Sequence, residues 1–379
     1  MINKINNFVF ESINFFKFYK KSRAQKKIIF YSESLFYKNY YVDLYTEVKK
    51  KIDGVIILTS DINEFNHFNN QNVEVYYIGK GLLRIIFFNF ISCDLLIMTM
   101  PGLGNNLKKS PWCKKYLYYF HSLASTHVIY KSNAFDNFDI LFTNGDYQIQ
   151  EIRKNEKIFN LKKKELYNSG FLYLDYLKNN TNKNKNKKNC ILLAPSWNYS
   201  IRNLFNDHVS SIIENLTKND FYVILRPHPE LIKRNKKKFD EIIKKFNKNN
   251  LFELDLKPSN IESMEKTSLL ITDNSTISLE FSITFKRPIL YIDHKKKIHN
   301  PNYEKINKLS FEDEYKNTIA YILDSSKINT LANLCKKIIS ESYFLDDKII
   351  EIENKMLSNV GLTSKKASQL LLEIYKKIN

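Results

Sequence analysis

Only four cysteines occur in this 379-residue chain, and they lie far apart at Cys93, Cys113, Cys190 and Cys335. Without close pairs they suggest neither a zinc site nor a disulfide framework, and a reducing compartment suits them. No Asp-X-Asp pair occurs either, so no carboxylate clamp for a catalytic metal is evident and no cofactor is expected. A divalent cation held by phosphates alone stays compatible with this. The first residues, MINKINNFVFESINFFKFYKKS, lack a clean apolar stretch followed by a small-residue cleavage site, so no export signal is evident. Long apolar runs are also missing. Residues 81–100 approach the length of a membrane span, but Arg84, Asn89 and Asp94 interrupt them at a high cost in lipid. They read as a helix running into a strand. No helix-turn-helix or RNP element accompanies the dispersed lysines, so nucleic acid is not an expected partner.

What is present is positive charge and apolar bulk. The formal net charge is +19, and 43% of residues are hydrophobic. That fraction supports a globular protein, and the length suits two domains. The charge invites a polyanionic partner, an anionic membrane surface or a phosphate-rich substrate. Lys, Asn, Ile, Phe and Tyr are all abundant while Gly and Pro number eight each. A/T-rich coding DNA produces that bias without selection for binding.

Apolar runs at 26–34, 54–61, 73–79, 94–102, 115–122 and 138–145 alternate with helix-length stretches, which predicts a parallel sheet covered on both faces. The segment KNNTNKNKNKKN has no strongly apolar residue and reads as a solvated linker. Beyond it the alternation resumes with CILLAPSW, YVILRPHP, SLLITDNS and RPILYID. The expected organisation is an N-terminal domain over 1–178, a linker over 179–189 and a second α/β domain over 190–328. A helical tail over 329–379 is expected to pack on one or both of them. Two such domains create a cleft.

Ligands in open parallel sheets bind beyond the carboxyl ends of strands. Three such ends stand out in the second half: Pro195, Ser196 and Trp197; Arg226 with His228; and Asp273 to Thr276. Proline stops the strand after Arg226, because it has no amide hydrogen to continue a sheet interior. Asn274, Ser275 and Thr276 precede a helical pattern, and a helix start with free amides favours phosphate. Ser275 alone would be a plain helix cap, with Asp273 capping a turn. Beside Arg226 and His228, it becomes half of a site for two phosphates, with His228 able to donate to an oxygen that gains charge. In the first half, His121 follows an apolar strand and precedes small residues, the position of a general base at a sheet rim. His127 reads as a satisfied polar group, and His67, His208, His294 and His299 as surface residues.

His121, NSGFLYLD, ILLAPSW, RPHP and LLITDNSTISLEF together resemble the CDP-glycerol glycerophosphotransferase family, over about 115–295. The resemblance implies a GT-B fold of two facing Rossmann-like domains. It implies that His121 is the base on the acceptor hydroxyl, that His228 and Arg226 meet the donor pyrophosphate, and that Ser275 and Thr276 hold phosphates. Glu280 falls where that family usually has aspartate. Ser122 and Leu123 replace the usual Gly-Thr after the histidine, and the Gly-Tyr/Phe-Pro element keeps Gly170 and Asp175 without its proline.

The reading is transfer of a polyol phosphate from a CDP-activated donor to a hydroxyl of a teichoic-acid, capsule or glycan acceptor, with release of CMP. The catalytic pair is His121 and His228, the phosphates are held by Arg226, Asn274, Ser275 and Thr276, and the nucleotide by Pro195, Ser196, Trp197, Asp273 and Glu280. A GT-B glycosyltransferase with a nucleotide-sugar donor is one alternative. A non-catalytic basic protein that binds nucleic acid or lipid is another. A cytoplasmic location is expected, with peripheral association at the inner membrane face: the acceptors of the family are lipid-linked, and Phe15, Phe16 and Phe18 with Lys17, Lys20 and Lys21 suit an anionic surface. The same aromatics suit docking on the first domain equally, and docking is the favoured reading.

Overall fold

The computed structural model describes residues 2–104, 107–182, 189–198, 200, 202–294, 298–341 and 346–379. Among these residues, seven strands form the first sheet: β1 Ile28–Ser32, β2 Val55–Thr59, β3 Val75–Tyr77, β4 Cys93–Met98, β5 Cys113–Tyr119, β6 Ile140–Thr143 and β7 Glu165–Asn168. Six form the second: β8 Cys190–Leu193, β9 Tyr222–Leu225, β10 Phe252–Leu254, β11 Leu269–Thr272, β12 Ile289–Asp293 and β13 Tyr321–Asp324. The spatial orders are β3-β2-β1-β4-β5-β6-β7 and β10-β9-β8-β11-β12-β13. Every pairing is parallel.

Strands such as VIILT, CILL and LLIT are buried at every position. Helices cover both faces of each sheet, so these runs are continuous where a half-exposed strand would alternate. Three of the four edge strands, β7, β10 and β13, are different. They read ELYN, FEL and YILD, are mostly half-buried or exposed, and escape the search for apolar runs. Residues 81–100 form helix Leu82–Phe90 followed by β4, as expected. None of the described helices is long and apolar enough to cross a membrane.

Each sheet reverses its strand order once, between β1 and β4 in the first and between β8 and β11 in the second. The loops beyond those reversals are where a doubly wound sheet offers a crevice. One apolar core joins the two halves: Leu123, Tyr147, Phe171 and Leu174 cluster with Leu192, Leu270, Phe281 and Phe311. Part of the expected linker, residues 183–188, lies outside the described residues.

The tail is helical and packs on both halves. Helix Leu331–Glu341 sends Leu331, Cys335 and Ile338 into the core beneath β8 and β9. Helix Thr363–Ile378 crosses back to the first sheet, where Ala367, Leu371 and Ile374 join Ile28, Val55, Leu95 and Phe142. Asp175 anchors that return. Its carboxylate accepts from Gly361 N, Thr363 N and Thr363 Oγ1, each at 2.7 Å, which satisfies amides at the start of the last helix. Gly170 lets the strap pass: its φ is +85°, and a Cβ there would lie 2.3 Å from the Ser358 carbonyl oxygen.

The cysteines include a pair that spacing concealed. Cys93 and Cys113 are register partners on β4 and β5, with their sulfurs 3.3 Å apart. Both are buried free thiols, and burial pushes the Cys93 thiol up.

Candidate active site

His121 follows β5 and meets the crevice of the first sheet. Its ring packs edge-on against Tyr37, at 5.2 Å between centroids, and lies 6.3 Å from Tyr40. Both tyrosines stand on the short helix Leu35–Tyr40 that leaves β1. Its Nδ1 lies 3.0 Å from Thr99 Oγ1 and 3.2 Å from the Thr99 carbonyl oxygen, just beyond β4. A carbonyl only accepts, so Nδ1 carries the hydrogen and the neutral ring presents Nε2 as its basic nitrogen.

His228 is held in the opposite sense. It is the N-cap residue of helix Pro229–Arg234, and its Nδ1 accepts from the Glu230 amide at 3.1 Å. An amide only donates, so here Nδ1 is bare and Nε2 carries the hydrogen. One imidazole is set to take a proton, and the other is set to donate a hydrogen bond.

The second sheet's crevice is built by mutual support. Asp273 at the end of β11 accepts from Ser196 N at 2.8 Å and Ser196 Oγ at 2.9 Å, which ties the loop after β8 to the loop after β11. Pro195 is buried in the same loop. Asp273 and Ser196 therefore satisfy each other, the plainer role that a buried polar pair takes. Helix Ile277–Phe285 starts one residue later than expected, with Thr276 as its N-cap residue in place of Ser275. The Ser275 carbonyl accepts from Ser278 Oγ at 2.7 Å, and Asn274 and Ser275 are half-buried.

The two crevices face each other. Ser122, next to His121, shares a hydrogen bond of 3.0 Å with Thr276 Oγ1. The same loop is stitched to the second half at further points: Ser125 N donates to Glu312 at 3.0 Å, and the Val128 carbonyl accepts from His299 N at 3.0 Å. Tyr40 packs at a tilt against Tyr173, with 4.2 Å between ring centroids, and burial pushes the Tyr40 hydroxyl well up.

Arg226 is engaged in structure. Its Nη1 lies 2.6 Å from Asp255 Oδ2, and Nη2 lies 2.9 Å from the Lys257 carbonyl. The pair joins the ends of β9 and β10. Glu280 is 4% exposed. Burial pushes its carboxyl up to about 8, with Arg226 pulling the other way. It can stay protonated at neutral pH and serve as a hydrogen-bond donor.

Trp197 is half-buried between three side chains. His299 lies 4.7 Å and His228 6.0 Å from its ring, and the Arg234 guanidinium sits 5.2 Å above it. His299 is thus a half-buried member of the cleft, contrary to the surface position expected from its lysine-rich neighbourhood. Its place depends on the hydrogen bond to Val128, a long-range contact that local composition does not carry. His127 is the satisfied polar group expected, with Nε2 3.0 Å from the Lys308 carbonyl and Nδ1 3.3 Å from Glu151. Sequence reasoning also passed over Tyr37, Tyr40 and Thr99. The only signal for the tyrosines was an aromatic cluster just after an apolar strand. Among the described residues, no three or more His, Cys, Asp or Glu side chains converge as metal ligands.

Residues 123–359, more than half of the chain, match the family model described as CDP-glycerol:poly(glycerophosphate) glycerophosphotransferase. No curated protein matches in sequence. Among solved structures, the wall teichoic acid polymerase TagF aligns over 100% of this chain and 98% of its own, at 15% identity and a TM-score of 0.60. A UDP-N-acetylglucosamine 2-epimerase from Listeria monocytogenes, itself described as putative, aligns over 94% and 98% at 12% identity, with a TM-score of 0.61. A glycosyltransferase from Rickettsia africae aligns over 93% and 98% at 14% identity, with a TM-score of 0.52. These likenesses bear out the GT-B arrangement of two facing parallel sheets. With that fold and the family match over residues 123–359, the chain belongs to the CDP-glycerol:poly(glycerophosphate) glycerophosphotransferase family and is a transferase of that kind.

Proposed function

We propose that this transferase moves a polyol phosphate from a CDP-linked alcohol to a hydroxyl of a cell-envelope polymer, with release of CMP. The acceptor oxygen attacks the distal phosphorus of the donor, and the bond from that phosphorus to the bridging oxygen of CMP breaks. The acceptor proton passes to His121 Nε2. The charge that gathers on the departing CMP phosphate is met by the Nε2 hydrogen of His228 and by the start of helix Ile277–Phe285, with Asn274, Ser275 and Thr276 around it. Arg226 adds its field from beside Asp255. Ser196, Trp197 and Asp273 shape the nucleotide side with Pro195, and Glu280 offers hydrogen bonds to nucleotide hydroxyls. Positioning and charge stabilisation supply most of the acceleration.

The observation that carries this reading is the opposite hydrogen-bonding state of the two imidazoles, on rims linked by Ser122 and Thr276. The division of labour follows the two sheets, with an acceptor side over 1–178 and a donor side over 190–328. A lipid-linked acceptor and peripheral association with the inner membrane face belong to the same proposal.

The test is CMP release from a panel of CDP-alcohols with a polyol-phosphate acceptor. His121→Ala and His228→Ala are each expected to lower turnover by about 10²- to 10⁴-fold while the thermal transition is kept. Unchanged turnover in either variant refutes the role given to that residue. The likeness to the Rickettsia glycosyltransferase keeps a second reading open, attack at the anomeric carbon of a nucleotide-sugar. Release of a nucleoside diphosphate in place of CMP would select it.

A further inference from the structure

Residues 1–178 hold three arginines, Arg23, Arg84 and Arg153. Arg23 pairs with Asp94 near the start of β4, and Arg153 pairs with Glu156 on helix Asp146–Ile158. Arg84 stands elsewhere, among the loops beyond the strand ends where the cleft opens. It lies in the first turn of helix Leu82–Phe90, and its Nη1 meets Glu33 Oε1 at 3.0 Å, directly after β1. At β1 the first sheet reverses its strand order. The two side chains remain 20% and 25% exposed. Buried Tyr31 supports the carboxylate, with its Oη 3.3 Å from Glu33 Oε1 and 2.9 Å from Ser60 Oγ. Arg84 Nε is enclosed without an acceptor, so the protein does not use all that this guanidinium can donate.

The pair also reaches the proposed base. Tyr37 packs edge-on against His121, and burial, then the charges of Glu33 and Glu230, push its hydroxyl up to about 12. Tyr37 is therefore a neutral wall between the His121 imidazole and the Glu33 side of the crevice. We propose that Arg84 and Glu33 form an acceptor subsite for a polyol-phosphate chain, in which the guanidinium holds phosphodiester oxygens and the carboxylate accepts from a neighbouring hydroxyl. A donor fork beside an acceptor matches a phosphate beside a hydroxyl, and planar two-point binding of phosphate is what distinguishes arginine from lysine. A neutral glycan gives the arginine no anion, so the subsite selects a phosphorylated acceptor. Glu33 and Arg84 both lie outside the family match over residues 123–359. The inference rests on the transfer reading above and adds the residues that determine its acceptor.

The experiment follows CMP release by the full chain with two acceptors, an oligomer of glycerol phosphate and a neutral polyol glycoside. The wild type is expected to prefer the oligomer, and added salt to narrow that preference. Arg84→Gln should raise the KM for the oligomer about tenfold or more with the KM for the CDP-alcohol unmoved, so that the preference collapses. Arg84→Lys should keep part of it, because the charge stays and the fork is lost. Should Arg84→Gln lose its thermal transition, Arg84→Lys carries the same comparison with a smaller shift. An unchanged KM for the oligomer overturns the inference. So does an equal loss with both acceptors, which is the mark of a merely structural pair, and so does a wild type that prefers the neutral acceptor. If no CDP-alcohol yields CMP, the transfer reading falls by itself, and calorimetric titration of the oligomer alone then decides the subsite. Binding that Arg84→Gln weakens about tenfold supports it, and no binding by the wild type overturns it.

Discussion

Ser122 and Thr276, 154 positions apart, share a hydrogen bond of 3.0 Å that joins the two rims of the cleft. Ser122 directly follows the proposed base, and Thr276 begins the helix proposed to receive the departing phosphate. Ser122→Ala and Thr276→Val are each expected to weaken donor binding by about 1 kcal/mol. The double variant should fall short of the sum, because both remove one bond. A double-mutant cycle read by calorimetric titration of a CDP-alcohol checks this. Full additivity would mean that the bond does not form in solution.

Glu280 gives a pH dependence with a definite sign. Its native carboxyl titrates at about 8, while an unfolded glutamate titrates near 4.3. Between those values the native state binds more protons than the unfolded state, so stability falls as pH rises through that window and then levels off. Glu280→Gln should flatten the decline, seen in denaturant midpoints from pH about 5 to pH about 9. An unchanged profile in the variant would place the cause elsewhere.

Asp175→Ala removes the acceptor for three hydrogen bonds at the start of the last helix. Leaving the buried Thr363 amide and hydroxyl unpaired should cost about 2 to 4 kcal/mol, measured as a lower denaturant midpoint with the slope kept. A change smaller than about half of 1 kcal/mol would show that the tail docks through its apolar face alone.

The interior strands could be read directly because β2, β8 and β11 are buried on both faces and so are continuous apolar runs. Of the four edges, β3 reads as an apolar run, but β7, β10 and β13 do not, since one side of each pairs with nothing and their residues are mostly half-buried or exposed. At the site, strand ends with stiff or charged residues pointed to Arg226, His228 and the Thr276 loop. The partners of those residues lay out of reach. Asp255 holds Arg226 from 29 positions away, and Thr99 fixes the tautomer of His121 from 22. Such pairings come from strand order, which local patterns do not contain. The resemblance supplied roles, and the coordinates supplied hydrogen-bonding states.

The last helix has a consequence for how the chain is made. The face of the first sheet that carries Ile28, Val55, Leu95 and Phe142 gains Ala367, Leu371 and Ile374 from that helix. During synthesis helix Thr363–Ile378 must leave the ribosome before the cover of this face is complete. The early half therefore waits with part of its apolar surface exposed while the later half emerges, which makes the nascent chain a client for holding by chaperones.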